Sequence, residues 1–358
     1  MSVSIGLVGT SWWSDFMYVP AIKSHSGSIL TATCGTDAER TTAFAARHGI
    51  AHAYTSVEAM LAAGGLDALI VATPDDTHKA ITLAALQHGL HVLCEKPLAL
   101  NAADAEDMLR AANAAERNHM VLFTWRWQPC FQYLKALLDE GFVGRPLRAQ
   151  FSFASGGGYA QNYQWRLDGN RANGVLGDLG AHMIDLALWL VGDIAEISAD
   201  APALINRTGF DGKSSRPVND TAHMTLKFAD GAQGTIDVTT LQRLADTNIR
   251  IVASIDGEAG SIDVEYEPIG PNASARIRAT RASDAGVTRL EIPSSYLAGS
   301  DPSNVGAIYS NRPVGARLFI DSILGGFKPE PGFEQALAVQ RVIDAALMSH
   351  HERRWIAP

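Results

Sequence analysis

The chain has 358 residues, with 47% hydrophobic and 19% charged side chains and a net charge of -9. Its length predicts two domains, and its composition is typical of a soluble globular protein. The acidic balance argues against nucleic acid or an anionic membrane as a partner, because phosphates are bound by excess lysine and arginine. Three widely spaced cysteines, no evident signal peptide and no bilayer-spanning stretch favour a cytoplasmic protein with a small-molecule ligand.

The first 124 residues alternate between apolar strand segments and helical segments. Five segments have strand character: VSIGLVG, ILTATCG, DALIVATP, HVLCEKP and MVLFTW. Such alternation predicts a parallel sheet covered by helices on both faces, a doubly wound α/β fold of the Rossmann type. We therefore predict a dinucleotide-binding domain over residues 1–124.

The pattern changes in residues 125–358. Helices are expected near 128–141, 177–192, 309–325 and 332–350, and a strand is expected at 146–154. Alternating segments separated by turns such as Asp-Gly fill residues 195–292, which is typical of antiparallel hairpins. We predict an α+β domain for substrate binding and oligomerisation, with a large, open, mostly antiparallel sheet. Residues 155–175 and 206–218 are expected to be loops.

The stretch GLVGTSWWS follows the first strand, where a Rossmann fold binds pyrophosphate with the motif G-x-G-x-x-G. Gly9, Ser11 and Ser14 occupy the three glycine positions. Small residues still permit close approach to the helix N-terminus, which favours anions. We assign Gly9, Ser11, Trp12 and Trp13 to the cofactor site. A plain turn, with the tryptophans in a core, is the alternative.

The end of the second strand ordinarily selects between NAD and NADP. An acid there binds the ribose hydroxyls, whereas an arginine favours the 2′-phosphate. The sequence offers Thr36, Asp37 and Arg40. Asp37 is expected to cap the next helix, while Thr36 and Arg40 are assigned to the cofactor. The choice between NAD and NADP stays open.

Polar residues also follow the third and fourth predicted strands. Thr73, Pro74 and His78 come after one, and Glu95 and Lys96 come after the other. Ligands of open parallel sheets bind at these carboxyl ends. We assign all five to the cofactor site. A structural role is the alternative for His78.

The motifs ATPDDTH and LCEKPLAL resemble the Gfo/Idh/MocA oxidoreductases, as do WRWQP, YLKALLDEGFVGRP, YQWRLDGNRANGVLGDLGAHMIDLALWLVG and FEQALAVQRVIDAALMS. The resemblance covers essentially the whole chain. It implies that Lys96 lies near the nicotinamide and the reacting hydroxyl, faced by Asp178 and His182. It also implies a Lys–Pro bond that is often cis. Ser11 and Ser14 depart from the family pattern, as does the pair Gly174-Val175.

The predicted helix at 177–192 supports that assignment. Asp178, His182 and Asp185 have i, i+4 and i+7 spacing and share one face. Histidine has an unperturbed pKa of about 6.5, which suits a base for a hydroxyl proton. Lys96 can stabilise the developing alkoxide, and Asp178 can orient the pair. A histidine satisfied by a neighbouring aspartate, and a metal site lacking an evident fourth ligand, are the alternatives. We predict no metal.

Four further residues are plausible substrate groups. Tyr163 and Trp165 can stack on sugar CH faces, and Arg166 and Arg126 can bind hydroxyls. Arg166 is also assigned to the cofactor.

The leading hypothesis is an NAD(P)-dependent dehydrogenase or reductase of a sugar, polyol or sugar derivative. The resemblance leaves two alternatives, a glycosidase that oxidises its substrate transiently with bound NAD and a dinucleotide-binding sensor. We also predict a homodimer or homotetramer, because the open sheet face is expected to be an apolar patch of Thr, Ile, Val and Met.

Overall fold

The computed structural model describes residues 2–160, 163–207, 217–244, 248–270, 273–297, 299 and 306–358. It divides into two compact units. The first contains residues Met1–Phe123 and Gly306–Leu337, and the second contains Thr124–Val305 and Ala338–Pro358. Among the described residues, no helix is long and apolar enough to cross a bilayer.

The first unit is built on a six-stranded parallel sheet in the order β3-β2-β1-β4-β5-β6. Its strands are β1 (Val3–Val8), β2 (Ser28–Cys34), β3 (His52–Tyr54), β4 (Ala68–Val71), β5 (His91–Cys94) and β6 (His119–Val121). The helices between them are α1 (Val19–Lys23), α2 (Ala38–His48), α3 (Val57–Ala63), α4 (His78–Gln87) and α5 (Ala102–Ala114). A π-helical turn, Ser14–Tyr18, precedes α1. The doubly wound α/β prediction is confirmed.

The five predicted strands are all present, as β1, β2, β4, β5 and β6, but the sheet has a sixth strand, since β3 and the helix α3 were missed. β3 has three residues at the sheet edge, and none of them is buried. It therefore has no apolar run. The predicted helix cap is confirmed, since Asp37 accepts a hydrogen bond from the Arg40 backbone N–H at 2.8 Å.

The second unit contains an eight-stranded sheet in the order β14-β13-β12-β11-β7-β10-β9-β8. Its strands are β7 (Pro146–Ser155), β8 (Ile194–Asp200), β9 (Thr221–Phe228), β10 (Gln233–Thr239), β11 (Ile249–Gly257), β12 (Gly260–Glu267), β13 (Ser274–Arg281) and β14 (Thr288–Leu290). Helices α6 (Pro129–Asp139), α7 (Ala181–Leu190) and α8 (Ser294–Leu297) complete this part. β10 and β7 are parallel, and the other pairings are antiparallel. The mostly antiparallel sheet is therefore confirmed.

The open face of this sheet is polar, which contradicts the apolar patch expected from the sequence. Met224, Leu226, Ile236 and Val238 are buried on the opposite face. The alternate residues of β9 and β10 are half-buried or exposed, and they are His223, Thr225, Lys227, Thr235 and Asp237. The predicted alternation of residues with a period of two was correct, but the apolar residues of each strand all belong to the covered face.

The C-terminal helices are α9 (Ala307–Asn311), α10 (Ala316–Gly325) and α11 (Phe333–Glu352). All three were predicted to lie in the second domain, whereas residues 306–337 group with the first unit. The Asn118 side-chain amide donates to the Ser322 hydroxyl at 3.0 Å and to the Phe327 carbonyl at 2.9 Å. These bonds attach the end of α10 to the loop before β6.

The two predicted loops are described only in part. Residues 161–162 and 208–216 lie outside the described residues. The rest of the first loop contains two 3₁₀ turns, Gly157–Tyr159 and Trp165–Leu167.

Candidate active site

Three adjacent strands of the first unit, β1, β4 and β5, end at the same edge of the parallel sheet. Gly9 follows β1, Thr73 and Pro74 follow β4, and Glu95 and Lys96 follow β5. The fold therefore brings most of the predicted cofactor residues to one edge. This is the edge at which open parallel sheets bind ligands.

Gly9 makes the turn after β1 possible. Its φ is 115°, a conformation that side chains rarely adopt. A Cβ at Gly9 would lie 2.2 Å from the Ala72 carbonyl oxygen. Glycine is thus required first for packing against the end of β4. Ser14, in the position of the third glycine, donates its hydroxyl to the Gly9 carbonyl at 2.8 Å.

The same turn fits a dinucleotide pyrophosphate. Helical structure begins at Trp12, so the first N–H groups of that helix have no partner within it and can bind an anion. The Thr10 hydroxyl is buried and has no hydrogen-bond partner among the described residues. A Cβ at Gly35 would lie 3.0 Å from that hydroxyl. Thr10 and Gly35 thus lie beside this turn, and neither was predicted as a site residue from the sequence.

Other predicted cofactor residues lie near the surface of the first unit. The Trp12 side chain is 71% exposed, and Ser11 is half-buried. Thr36 and Arg40 are exposed beside the end of β2, where the Asp37 carboxylate caps α2. Asp37 is therefore engaged as the helix cap.

His78 is fully buried and bridges two backbone carbonyls. Its Nδ1 lies 2.9 Å from the Pro97 oxygen, and its Nε2 lies 2.9 Å from the Thr73 oxygen. Burial alone would lower the pKa of His78, but the neighbouring Cys94 and the two carbonyls raise it to about 9. A protonated ring can donate to both oxygens at once. These contacts favour a structural role, in which His78 joins the end of β4 to the bend after Lys96.

The bend after β5 carries the charged pair Glu95 and Lys96. The Lys96–Pro97 bond is cis, as the resemblance implied. Glu95 is only 7% exposed, and its carboxylate accepts hydrogen bonds from the Trp13 indole and the Tyr18 hydroxyl. Lys96 is half-buried. Tyr18 lies 77 positions before Glu95, and no local pattern in the sequence could have indicated this contact.

In the second unit, a π-helical turn (Leu176–Gly180) leads into α7 and presents Asp178 and His182. Asp178 is half-buried, whereas His182 is 6% exposed. The His182 ring lies 5.9 Å from the Trp125 ring centre and 6.2 Å from that of Phe153. Aromatic contacts thus fix the orientation of the imidazole.

Asp178 is also paired with a predicted substrate residue. The Arg166 Nε lies 3.5 Å from the Asp178 Oδ1, and the Arg166 guanidinium lies 4.2 Å from the Trp165 ring centre. The Tyr163 hydroxyl donates to Asp168 at 3.2 Å. Trp165, Arg166 and Asp178 therefore form a contiguous polar and aromatic group. The Arg166–Asp178 pair is partly exposed, and such pairs contribute little stability.

Arg126 is engaged in a buried ion pair. Its Nε and Nη2 donate to the Asp185 carboxylate at 2.9 and 2.5 Å. Burial raises the pKa of Asp185, and the Arg126 charge offsets only part of that rise. The geometry favours a structural role for Arg126 over the predicted contact with substrate. Among the described residues, no group of three or more His, Cys, Asp or Glu could hold a metal ion.

Two family models match the chain. Residues 3–123 match the oxidoreductase family with an NAD-binding Rossmann fold, and residues 131–263 match the GFO/IDH/MocA C-terminal domain.

Curated relatives with similar sequences include three enzymes of sugars and polyols. D-apiose dehydrogenase of Rhizobium rhizogenes is 30% identical over 70% of this chain and 72% of its own length. Levoglucosan dehydrogenase of Pseudarthrobacter phenanthrenivorans is 28% identical over 80% of this chain and 78% of its own. The scyllo-inositol 2-dehydrogenase (NADP(+)) of Bacillus subtilis is 28% identical over 69% of this chain and 79% of its own length.

Solved structures show the same fold. A levoglucosan dehydrogenase in complex with NADH superimposes with a TM-score of 0.89 at 23% identity, covering 100% of this chain and 99% of that one. An oxidoreductase domain protein from Kribbella flavida gives a TM-score of 0.87 at 28% identity, with 100% and 99% coverage.

Proposed function

This chain belongs to the Gfo/Idh/MocA oxidoreductase family, and from that premise we propose that it is an NAD(P)-dependent dehydrogenase or reductase of a sugar, polyol or sugar derivative. The observation that carries the proposal is that each unit has its own group of candidate catalytic residues. The first unit has Lys96 at the sheet edge that holds the dinucleotide turn. The second unit has Asp178 and His182 on successive turns.

A dinucleotide held at the turn of Gly9 would supply a nicotinamide as hydride acceptor for the carbon of a secondary alcohol, or as hydride donor in the reverse direction. The chain must then manage the hydroxyl proton and the charge on oxygen. We assign His182 as the group that takes the proton, an effect typically worth about 10²–10⁴-fold in rate. Lys96 stabilises the developing alkoxide by its positive charge. Asp178 orients His182.

The substrate class rests on the aromatic and polar groups near Asp178. The Trp165 ring is only half-buried and offers an apolar face to the CH groups of a sugar. Arg166 is exposed and lies across that ring. Its pair with Asp178 is weak enough to exchange for substrate hydroxyls. Tyr163 completes the proposed substrate site.

The first test is an absorbance screen at 340 nm with NAD and NADP separately. D-apiose, levoglucosan, scyllo-inositol and other sugars and polyols are the substrates, because the curated relatives act on molecules of this kind. The expected result is reduced cofactor released into solution with at least one substrate. Hydrolysis of a glycoside without net reduction would instead favour the glycosidase mechanism, and dinucleotide binding without any turnover would favour a sensor.

The assembly and location are also proposals. We propose a homodimer or homotetramer through the open face of the second unit's sheet. That face carries polar groups, among them His223 and Asp237, which already pair with each other within the chain, so polar contacts would dominate the interface. A mass near the monomer's 38.3 kDa by light scattering at micromolar concentration would contradict it. A cytoplasmic location is supported by Cys34, Cys94 and Cys130, which are buried and free.

A further inference from the structure

Glu95 is a buried carboxylate with donors on both of its oxygens. Oε1 accepts from the Tyr18 hydroxyl at 2.6 Å and also from the Trp13 indole N–H. Oε2 accepts from the backbone N–H of Lys96 at 3.2 Å. A buried charge is costly unless such donors compensate it. The three donors therefore hold this carboxylate in one orientation.

These donors come from two different parts of the sheet edge. Trp13 and Tyr18 belong to the helical segment that follows the dinucleotide turn, after β1. Glu95 and Lys96 follow β5, and β4 lies between the two strands. The carboxylate thus links the segment that begins at the cofactor turn to the bend that carries the proposed catalytic lysine.

We propose that Tyr18 is a positioning residue for Lys96, acting through Glu95 and supported by Trp13. The bond from the Lys96 N–H to Glu95 fixes the peptide unit before the lysine, and that unit sets the direction in which the lysine side chain leaves the backbone. The Tyr18 and Trp13 bonds prevent the carboxylate from rotating away. This inference rests on the proposed function, because it concerns the placement of the lysine.

The chemistry of Tyr18 suits a permanent donor. Tyr18 is completely buried. Burial and the Glu95 charge raise its pKa well above the usual value, so the phenol keeps its proton at any working pH. Hydrogen bonds to a carboxylate are about twice as strong as those between neutral groups. Tyr18 therefore contributes a strong, fixed contact without touching the reacting atoms.

Removing the hydroxyl in Tyr18→Phe keeps the ring and deletes the contact. A misplacement of about 1 Å in a catalytic group can cost about 10²-fold in rate, so we expect kcat to fall about 10- to 100-fold. The dissociation constant of the dinucleotide and the KM of the substrate should change by less than about threefold, because neither ligand loses a direct partner. The apparent pKa of the kcat profile should also shift.

Tyr266→Phe is the matched control. The Tyr266 hydroxyl is also buried, and it donates to the neutral Gln128 Oε1 at 2.8 Å within the second unit. Its loss should reduce the free energy of unfolding, though by less than the loss of the Tyr18 hydroxyl because the acceptor is neutral, and it should leave kcat unchanged. Wild-type kcat and pH profile in Tyr18→Phe would overturn the inference, as would an equal loss of kcat in both variants.

An NMR measurement tests the contact independently of turnover. The indole N–H resonance of Trp13, assigned by its loss in Trp13→Phe, should move upfield in Glu95→Gln because a charged acceptor becomes neutral. An unmoved resonance would overturn the inference even in an active enzyme. Absence of turnover in the wild type with every substrate would instead overturn the proposed function, while the NMR result would still decide whether Glu95 is held as described.

Discussion

Removing one partner of the buried Arg126–Asp185 pair is expected to destabilise the second unit strongly. The side chains of Arg126 and Asp185 are 8% and 2% exposed, and two hydrogen bonds join them. The guanidinium also lies 5.1 Å from the Trp189 ring centre. Arg126→Met leaves an unpaired buried carboxylate, and Asp185→Leu leaves an unpaired buried cation. Each single substitution should lower the free energy of unfolding by about 3–5 kcal/mol.

The double variant Arg126→Met/Asp185→Leu is expected to be far less damaging than either single variant. The pKa of Asp185 is raised despite the ion pair, which means that burial disfavours its charge more than Arg126 favours it. Apolar replacements of buried pairs are often neutral or stabilising by about 1–4 kcal/mol. The pair therefore contributes geometry more than net stability.

Urea unfolding followed by tryptophan fluorescence provides the measurement. With m near 3 kcal/mol/M, a loss of 4 kcal/mol moves the midpoint by about 1.3 M. Arg148→Met is the control, since the Arg148–Asp256 pair is exposed and should contribute less than about 1 kcal/mol. The reasoning would be refuted if the single variants of the buried pair lost no more unfolding free energy than Arg148→Met.

Three further predictions concern the first unit and the proposed catalytic groups. Lys96→Ala and His182→Ala should each lower kcat at least about 10²-fold while the dinucleotide dissociation constant is kept; near wild-type turnover in either would remove that residue from the mechanism. Gly9→Ala places a Cβ 2.2 Å from the Ala72 carbonyl oxygen. The free energy of unfolding and the affinity for the dinucleotide should therefore both fall. Calorimetry that shows neither change would contradict this prediction. The folded-state pKa of His78, about 9, exceeds its ordinary 6.5. The contribution of protonated His78 to the free energy of unfolding should be complete below pH 6.5 and should be lost as pH rises through 9. This loss should be at most about 3 kcal/mol. Urea unfolding of wild type and His78→Gln at pH 6 and 10 tests this, and identical pH dependence would count against it.

The parallel sheet of the first unit could be predicted because its central strands are continuous apolar runs separated by capped helices. The cap at Asp37 and the cis Lys96–Pro97 bond were likewise anticipated, the first from local chemistry and the second from the family motif. β3 escaped because three unburied edge residues form no apolar run. Apolar runs of this kind span only a few residues, and they identify the strands and helices that are fully buried.

Features that depend on distant parts of the chain could not be predicted. The grouping of residues 306–337 with the first unit depends on bonds such as those of Asn118 to α10, and an amphipathic helix does not indicate which core it covers. The contact of Tyr18 with Glu95 and the buried partner of Arg126 arise in the same way. The open sheet face was mistaken because all residues of MTLKF and TIDVTT were assigned to it, when only the alternate ones face outward.

The most direct test of the central claim follows a hydride. The substrate identified at 340 nm is synthesised with deuterium on the carbon that bears the reacting hydroxyl, and the reduced dinucleotide is analysed by mass spectrometry and NMR. We predict one deuterium per turnover at the nicotinamide C4 of the released cofactor, at a rate that falls at least about 10²-fold in Lys96→Ala and His182→Ala. Product formation with no deuterium in the dinucleotide would contradict it.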